Sequence, residues 1–139
     1  MTKIAIVDIE TTGPRIEEGD QIIQIAAVII EEGRIIQEYN MLINPEIEIP
    51  FHISQLTGIN QEVVLKAPTF KQVAGLWYQR LQGCVFVAHN LALDLTFLKE
   101  NFALHGFETF NPPALDTVKL AKILIPKATG FNLSDLSKH

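Results

Sequence analysis

Hydrophobic residues fall along this chain in short blocks of two rhythms. "IAIV", Ile4 to Val7, is a continuous run rich in β-branched side chains, the pattern of a strand buried on both faces. After the turn-rich "TTGPRIEEGDQ", the stretch "QIIQIAAVIIEEGRIIQEYNMLINP" holds two apolar runs joined by Glu31-Glu32-Gly33-Arg34, which predicts a hairpin and, with the first strand, three neighbouring antiparallel strands. "FHISQLTGINQEVVLKAPTF" carries short helical pieces, "KQVAGLWYQRL" a helix and "CVFVAH" another buried strand. The helical rhythm is clearest in "NLALDLTFLKENFALHG": Asn90 stands as N-cap, Leu91, Leu95, Leu98 and Phe102 share one face, and Gly106 ends the helix. "PALDTVKLAKILIP" reads as a short strand running into a helix, with Asp116 or Thr117 near the cap. The order βββαβαβα predicts an α/β protein, a mixed sheet covered by helices, with its site at the carboxyl ends of the strands.

Composition narrows this to one soluble domain. The 139 residues are 47% hydrophobic and 19% charged, enough apolar material for a core. No run resembles a transmembrane helix, and Met1 leads into a strand without the basic start, apolar stretch and cleavage site of a secretory signal. A cytoplasmic protein with no membrane partner is therefore expected. The single cysteine, Cys84, rules out a disulfide framework within these residues, and "GCVFVAH" marks it as a buried strand thiol. The net charge of -5 has the wrong sign for coating long nucleic acid through counterion release. It leaves room for an enzyme working on a strand end, where few phosphates are contacted and part of the acidity is a set of metal ligands. The scattered basic residues, densest in "KLAK" and "PKATG", read as a solvated face.

Two carboxylates interrupt the first apolar run. Strand alternation sends Asp8 and Glu10 to the same side, and no Lys or Arg adjoins them in the sequence. Two like charges in a partly desolvated place cost several kcal/mol unless one is protonated or a cation sits between them. A divalent metal meets that need. A third acid, Asp94, lies four residues after Asn90 and four before Leu98, about one turn into its helix and beside the apolar stripe. That helix starts where "CVFVAH" ends, near the strand end carrying Asp8 and Glu10. Taken singly, a strand-end acid is commonly a turn former, an Asn before a helix only a cap, and a His such as His89 a satisfied core group. Three acids on two elements that one fold brings together, none with a basic neighbour, point instead to a cation site.

"VDIETTG", "VAHNLALDLTFL" and "ALDTVKLAK" resemble, in order, the successive signatures of the DnaQ-like, or DEDD-type, 3′–5′ exonucleases. "INPEIEIPFHISQLTGI" and "GFNLSDL" fit as well, so the likeness runs almost the whole length. It is nearest to the exonuclease domain of bacterial DinG-type helicases, with the proofreading epsilon subunits of DNA polymerase III as neighbours. The resemblance implies a ribonuclease-H-like fold, a mixed five-stranded sheet with helices on both sides, forming a single exonuclease domain over residues 1–139. It implies that Asp8, Glu10 and Asp94 are the catalytic acids and the ligands of two divalent cations, Mg²⁺ or Mn²⁺. Thr11 corresponds to the part of the first motif that meets the terminal nucleotide, and Leu56 and Thr57 to the region against its base or sugar. His89 and Asn90 belong to the second motif as supports of the helix start, with Asn90 also a candidate substrate contact, while Asp116 is structural.

The family also implies a later H-x-A-x-x-D, or in some branches Y-x-x-x-D, carrying the general base and a fourth acid; neither occurs here. The chain closes on "LSDLSKH", where Leu133 and Leu136 begin an apolar stripe and His139 precedes the expected motif without its Asp, so His139 is not read as the base. The expectation is a domain truncated at its carboxyl end, part of a longer chain, and weak or inactive alone. The reaction implied is metal-dependent hydrolysis at a single-stranded or frayed 3′ end of DNA, or of RNA, releasing nucleoside 5′-monophosphates, with a helicase linked to the chain or a polymerase as partner. A module that grips an end without cutting it stays open as the alternative, although keeping three costly acids argues against it. A ribonuclease-H-type endonuclease fits less well with the "TTG" and "AHN" contexts. No structural zinc is expected, because Cys and His lack the spacing.

Overall fold

The structure, a computed structural model, describes residues 2–128 and 130–137, apart from the side chains at 134 and 135. One mixed sheet runs in the order β3-β2-β1-β4-β5, with β1 at Lys3–Thr11, β2 at Ile22–Glu31, β3 at Arg34–Leu42, β4 at Cys84–Ala88 and β5 at Ala114–Asp116. The first three strands are antiparallel neighbours; β4 runs parallel to β1, and β5 parallel to β4. In the predicted hairpin, Glu32 and Gly33 both have positive φ, 52° and 74°. That handedness matches the twist of the flanking strands.

The helices are α1 (Phe51–Thr57), α2 (Gln61–Leu65), α3 (Phe70–Leu81), α4 (Leu91–Leu104), α5 (Thr117–Leu124) and α6 (Leu133–Leu136). One sheet face carries the main core, in which Trp77, Phe97, Leu98 and Phe102 of α3 and α4 join Ala5, Val7, Ile9, Ile25 and Phe86 of the strands. Thr69 and Gln72 close a reciprocal capping box at the start of α3. At the other end of α4, Gly106 has φ 92°, and the amides of Gly106 and Phe107 donate to the carbonyls of Ala103 and Phe102. Phe107 folds back edge-on to Phe102, completing the stop that a glycine past the helix end allows. On the opposite face, Ile6 and Asp8 border a groove of about 230 Å³ that His89, Thr117, Leu133 and Leu136 complete. Helices thus lie toward both faces, as expected of this strand order.

Two expectations change. β1 is buried on one face only: Ala5, Val7 and Ile9 lie in the core, while Ile6 is 43% exposed and Asp8 is open. A short Ile/Ala/Val run does not by itself tell one-sided from two-sided burial, since β-branched residues suit either. In α4, the buried stripe is Asp94, Phe97, Leu98, Asn101 and Phe102. Asp94 therefore lies within the stripe rather than beside it, and Leu91 and Leu95 border the core.

The pairing of β1 with β2 breaks at one point. Glu10 faces Gln24 and Thr11 faces Ile22, which leaves Ile23 without a partner on β1. Ile23 instead joins Ile49, Ile59 and Val64 in a second apolar cluster, with Ile53 of α1 packed on it. Its carbonyl accepts the Ile43 amide at 2.9 Å. The bulge thus ties the α1–α2 segment to the end of β1 that carries Glu10 and Thr11, a usual place for such a device near a functional site.

Candidate active site

β4 pairs with β1 only as far as Ile6 opposite Val87. Past that point the Ile9 amide donates to Asp94 Oδ2 at 3.3 Å, so the first turn of α4 takes over the side of β1 that β4 no longer covers. Asp8 and Glu10 flank Ile9 on the same strand. The three acids expected from the sequence are in this way brought to one end of β1, Asp94 at 4% exposure, Glu10 half-buried and Asp8 open.

Their electrostatics show the neighbourhood directly. Partial desolvation against the sheet raises the pKa of Asp8 although its side chain is open to solvent. Burial and then the charge of Asp8 raise that of Glu10. Asp94 is pushed up to about 7, by burial first, then by the charges of Asp8 and Glu10, against the opposing pull of the Ile9 amide. Neither ion pair recorded among the described residues, Lys3–Glu31 and Arg15–Glu18, involves any of the three. Oxygen donors with surplus negative charge and no basic partner have the chemistry of a hard divalent cation site. Among the described residues, no three His, Cys, Asp or Glu side chains are gathered tightly enough to hold a metal as they stand. The acids share a field rather than a closed ligand shell.

The loop after Glu10 is organised by a residue that the sequence pattern did not single out, Asp20. Its Oδ1 accepts the Thr12 hydroxyl at 3.0 Å and its Oδ2 the Arg15 amide at 2.9 Å. Thr12, 2% exposed, in turn accepts the Gln21 amide through its own hydroxyl at 3.0 Å. A Cβ on Gly13 would overlap the Asp20 carboxylate, which gives "TTG" a packing reason for its glycine. Thr11 is half-buried, and its hydroxyl donates to the Gly13 carbonyl at 2.7 Å. No signal in the sequence marks Asp20, because the loop closes over eight positions without any repeat or period.

The start of α4 also differs from expectation. Asn90 occupies the N-cap position, but in the left-handed region at φ 64°, ψ 62°, and its side chain makes no capping hydrogen bond. Asp116 supplies the cap from the end of β5: Oδ2 accepts the Leu91 amide at 3.2 Å while Oδ1 accepts the Val118 amide at 2.8 Å. Burial would raise the pKa of Asp116, but the amides of Val118, Leu91, Asn90 and Lys119 hold it below the usual carboxylate value. His89 is a support, as expected. Its Nε2 lies 2.6 Å from the Phe131 carbonyl, so that nitrogen carries the proton, and its Nδ1 lies 2.8 Å from Thr117 Oγ1. His139 lies outside the described residues.

Leu56 and Thr57 part company. Leu56 is 81% exposed on α1, so core packing does not account for it. The Thr57 hydroxyl donates to the Ile53 carbonyl at 2.8 Å and accepts the Ile59 amide at 3.1 Å, which fastens the turn after α1.

A family model described as Exonuclease, of the RNase T type, matches residues 5–139. The chain belongs to this exonuclease family. The chain is 43% identical over 137 residues to the 3′-5′ exonuclease DinG of Bacillus subtilis, covering 99% of itself and 15% of that protein. Among solved structures, it superposes on exonuclease X in complex with 5′ overhanging duplex DNA with a TM-score of 0.74 at 24% identity, over 97% of this chain and 71% of that one. It superposes on E. coli exonuclease I in complex with a dT13 oligonucleotide with a TM-score of 0.83 at 14% identity, over 99% and 35%. These likenesses confirm the mixed five-stranded sheet as the ribonuclease-H-like exonuclease fold. No helix among the described residues is long and apolar enough to cross a membrane.

Proposed function

We propose that Asp8, Glu10 and Asp94 form the metal-dependent centre of a 3′–5′ exonuclease, hydrolysing the terminal phosphodiester of a nucleic-acid 3′ end to release nucleoside 5′-monophosphates. The observation that carries this reading is the convergence of three acids, without basic partners, where β4 leaves β1 and α4 takes its side. The family membership and the likeness to the 3′-5′ exonuclease DinG of Bacillus subtilis support the reaction and its direction. Two divalent cations of the Mg²⁺ or Mn²⁺ type, held on these carboxylate oxygens, would lower the pKa of the attacking water and neutralise charge on the leaving 3′ oxygen.

The protein's own contribution is to hold and orient. Asp8 and Glu10 come from one strand, so their separation is set by the β repeat, and Asp94 is fixed from the other side by its bond to the Ile9 amide. Asp20 braces the loop behind Glu10. Leu56, exposed on α1, offers an apolar surface to the terminal base, with Thr57 holding the turn beneath it, and the open side chain of Asn90 and the backbone at Thr11 line the approach to the terminal nucleotide. DNA is the expected polymer, in a single-stranded or frayed end. A single domain over residues 1–139, in a longer chain with a linked helicase or working with a polymerase, is the organisation proposed; that this chain spans 15% of the Bacillus subtilis relative fits a longer chain.

Thermal melts with and without Mn²⁺ test the centre. Wild type should gain melting temperature with Mn²⁺ and Asp8→Ala should not; equal gains would remove the site from these residues. A 5′-labelled oligonucleotide should then shorten stepwise from its 3′ end with the full-length protein and Mg²⁺ or Mn²⁺, with an Asp8→Ala, Glu10→Ala variant as the control for contaminating nuclease.

A further inference from the structure

We infer that Asp116 is a positioning residue for Asp94: by capping α4 from the neighbouring strand, it sets where the helix begins and so where the third acid stands. The inference rests on the proposed three-acid centre. α4 receives no capping hydrogen bond from its own N-cap side chain, Asn90, which sits in the left-handed region at φ 64°. The cap comes across β4 and β5, from an Asp116 carboxylate whose two oxygens are divided between Leu91 of α4 and Val118 of α5. Both oxygens are therefore committed to main-chain donors, and the group cannot turn without releasing one helix. Asp94 lies three residues beyond Leu91, one turn along the same helix. Any shift of the first turn is carried to the Asp94 carboxylate and to its 3.3 Å bond with Ile9. Thr117 adds a second fastening, its hydroxyl donating to His89 Nδ1 at 2.8 Å.

The geometry also separates positioning from mere stability. An N-cap elsewhere, Thr69 of α3, is a comparable local device whose side-chain bonds stay within its own capping box. Asp116→Asn keeps the shape of the side chain but turns one acceptor into a donor facing a backbone N–H; Asp116→Ala removes both acceptors. Supporting groups of this kind typically change metal affinity by about 10–100-fold. Mn²⁺ affinity and the Ile9 amide resonance should be measured on wild type, Asp116→Asn, Asp116→Ala and Thr69→Ala. Both Asp116 variants are expected to weaken Mn²⁺ by about tenfold or more and to move the Ile9 amide, while Thr69→Ala lowers the melting temperature and moves neither. If Mn²⁺ affinity simply follows melting temperature across all the variants, or Asp116→Asn keeps wild-type affinity and an unmoved Ile9 resonance, the positioning role is overturned. Should Asp116→Ala fail to fold, Asp116→Asn carries the comparison. Absence of Mn²⁺ binding in wild type would overturn the proposed centre instead, and the Ile9 resonance in Asp116→Asn would still decide whether Asp116 holds Asp94.

Discussion

Asp94 is an acid built into a core stripe, 4% exposed between Phe97 and Leu98 on one side and the Ile9 amide on the other. The fold holds its proton far more tightly than the unfolded chain, with a pKa of about 7 against an ordinary 3.8. Each tenfold change in proton affinity is worth about 1.4 kcal/mol. The stability linked to this proton is therefore complete at low pH, below the ordinary value, and is lost as pH rises through about 7. In EDTA the chain should melt at a lower temperature at pH 8 than at pH 5, and Asp94→Asn should flatten that dependence and melt higher at pH 8. Asp8 and Glu10 shift in the same direction, so part of the slope should remain. A parallel slope in Asp94→Asn would show that Asp94 is not the titrating group. A cation competes with the same proton, so the Mn²⁺ midpoint should tighten over the interval in which stability without metal falls. At this scale, the three acids were legible because each breaks an apolar pattern. Asp116 was legible as the cap of its own helix, α5, which it holds through the Val118 amide; Asp20 and the second cap that Asp116 lends to α4 were not, because hydrogen bonds to main-chain groups distant along the chain leave no periodicity to read.

At the scale of elements, hydrophobic rhythm found every strand and the principal helices, and the chain's turn chemistry found the hairpin and the end of α4. What it left undetermined was which side of an element is covered. β1 proved one-sided, and the α4 stripe proved to run through Asp94, since side-chain identity alone does not say how far a neighbouring layer extends. The bulge at Ile23 was equally hidden, for it depends on pairing between two strands. The loop behind Glu10 yields a prediction of its own. Gly13→Ala drives a methyl into the Asp20 carboxylate, and overpacking of this kind costs about 1–3 kcal/mol. Asp20→Ala removes the obstacle together with the bonds to Thr12 and Arg15, so the double variant should lose less stability than the sum of the single ones by urea denaturation. Strict additivity would mean that Gly13 and Asp20 do not share the space assigned to them. On α1, Leu56→Ala should weaken binding of a single-stranded 3′ end while leaving the melting temperature nearly unchanged, as suits a side chain 81% exposed. Unchanged affinity would remove Leu56 from the substrate surface.

At the scale of the whole molecule, β1 and the start of α4 carry the three acids to one end of the sheet, and the proposed hydrolysis leaves a general base to be accounted for. The 139 residues contain no H-x-A-x-x-D or Y-x-x-x-D, and the curated relative is long enough that this chain spans 15% of it. Two of the three histidines within the described residues are poor substitutes, which leaves His52, exposed on α1. His89 has both ring nitrogens engaged, by Thr117 and the Phe131 carbonyl, and His105 is stacked on Phe70 at the far end of α4 from Asp94. Loss of a general base typically lowers a rate by about 10²–10⁴, and a missing fourth acid would weaken the hold on metal as well. The 139-residue chain by itself should therefore release 5′-monophosphates from a labelled oligonucleotide at least about a hundredfold more slowly than a longer chain that supplies an H-x-A-x-x-D or Y-x-x-x-D motif, while still responding to Mn²⁺ in a thermal melt. Equal rates would place the base within these residues, with His52→Gln, at an exposed position of α1, as the first variant to examine. If the full-length protein binds 3′ ends and gains stability from Mn²⁺ but releases no monophosphate, the fold serves as an end-gripping module, and the three acids hold the terminal phosphate's counter-ion rather than the reagents of its hydrolysis.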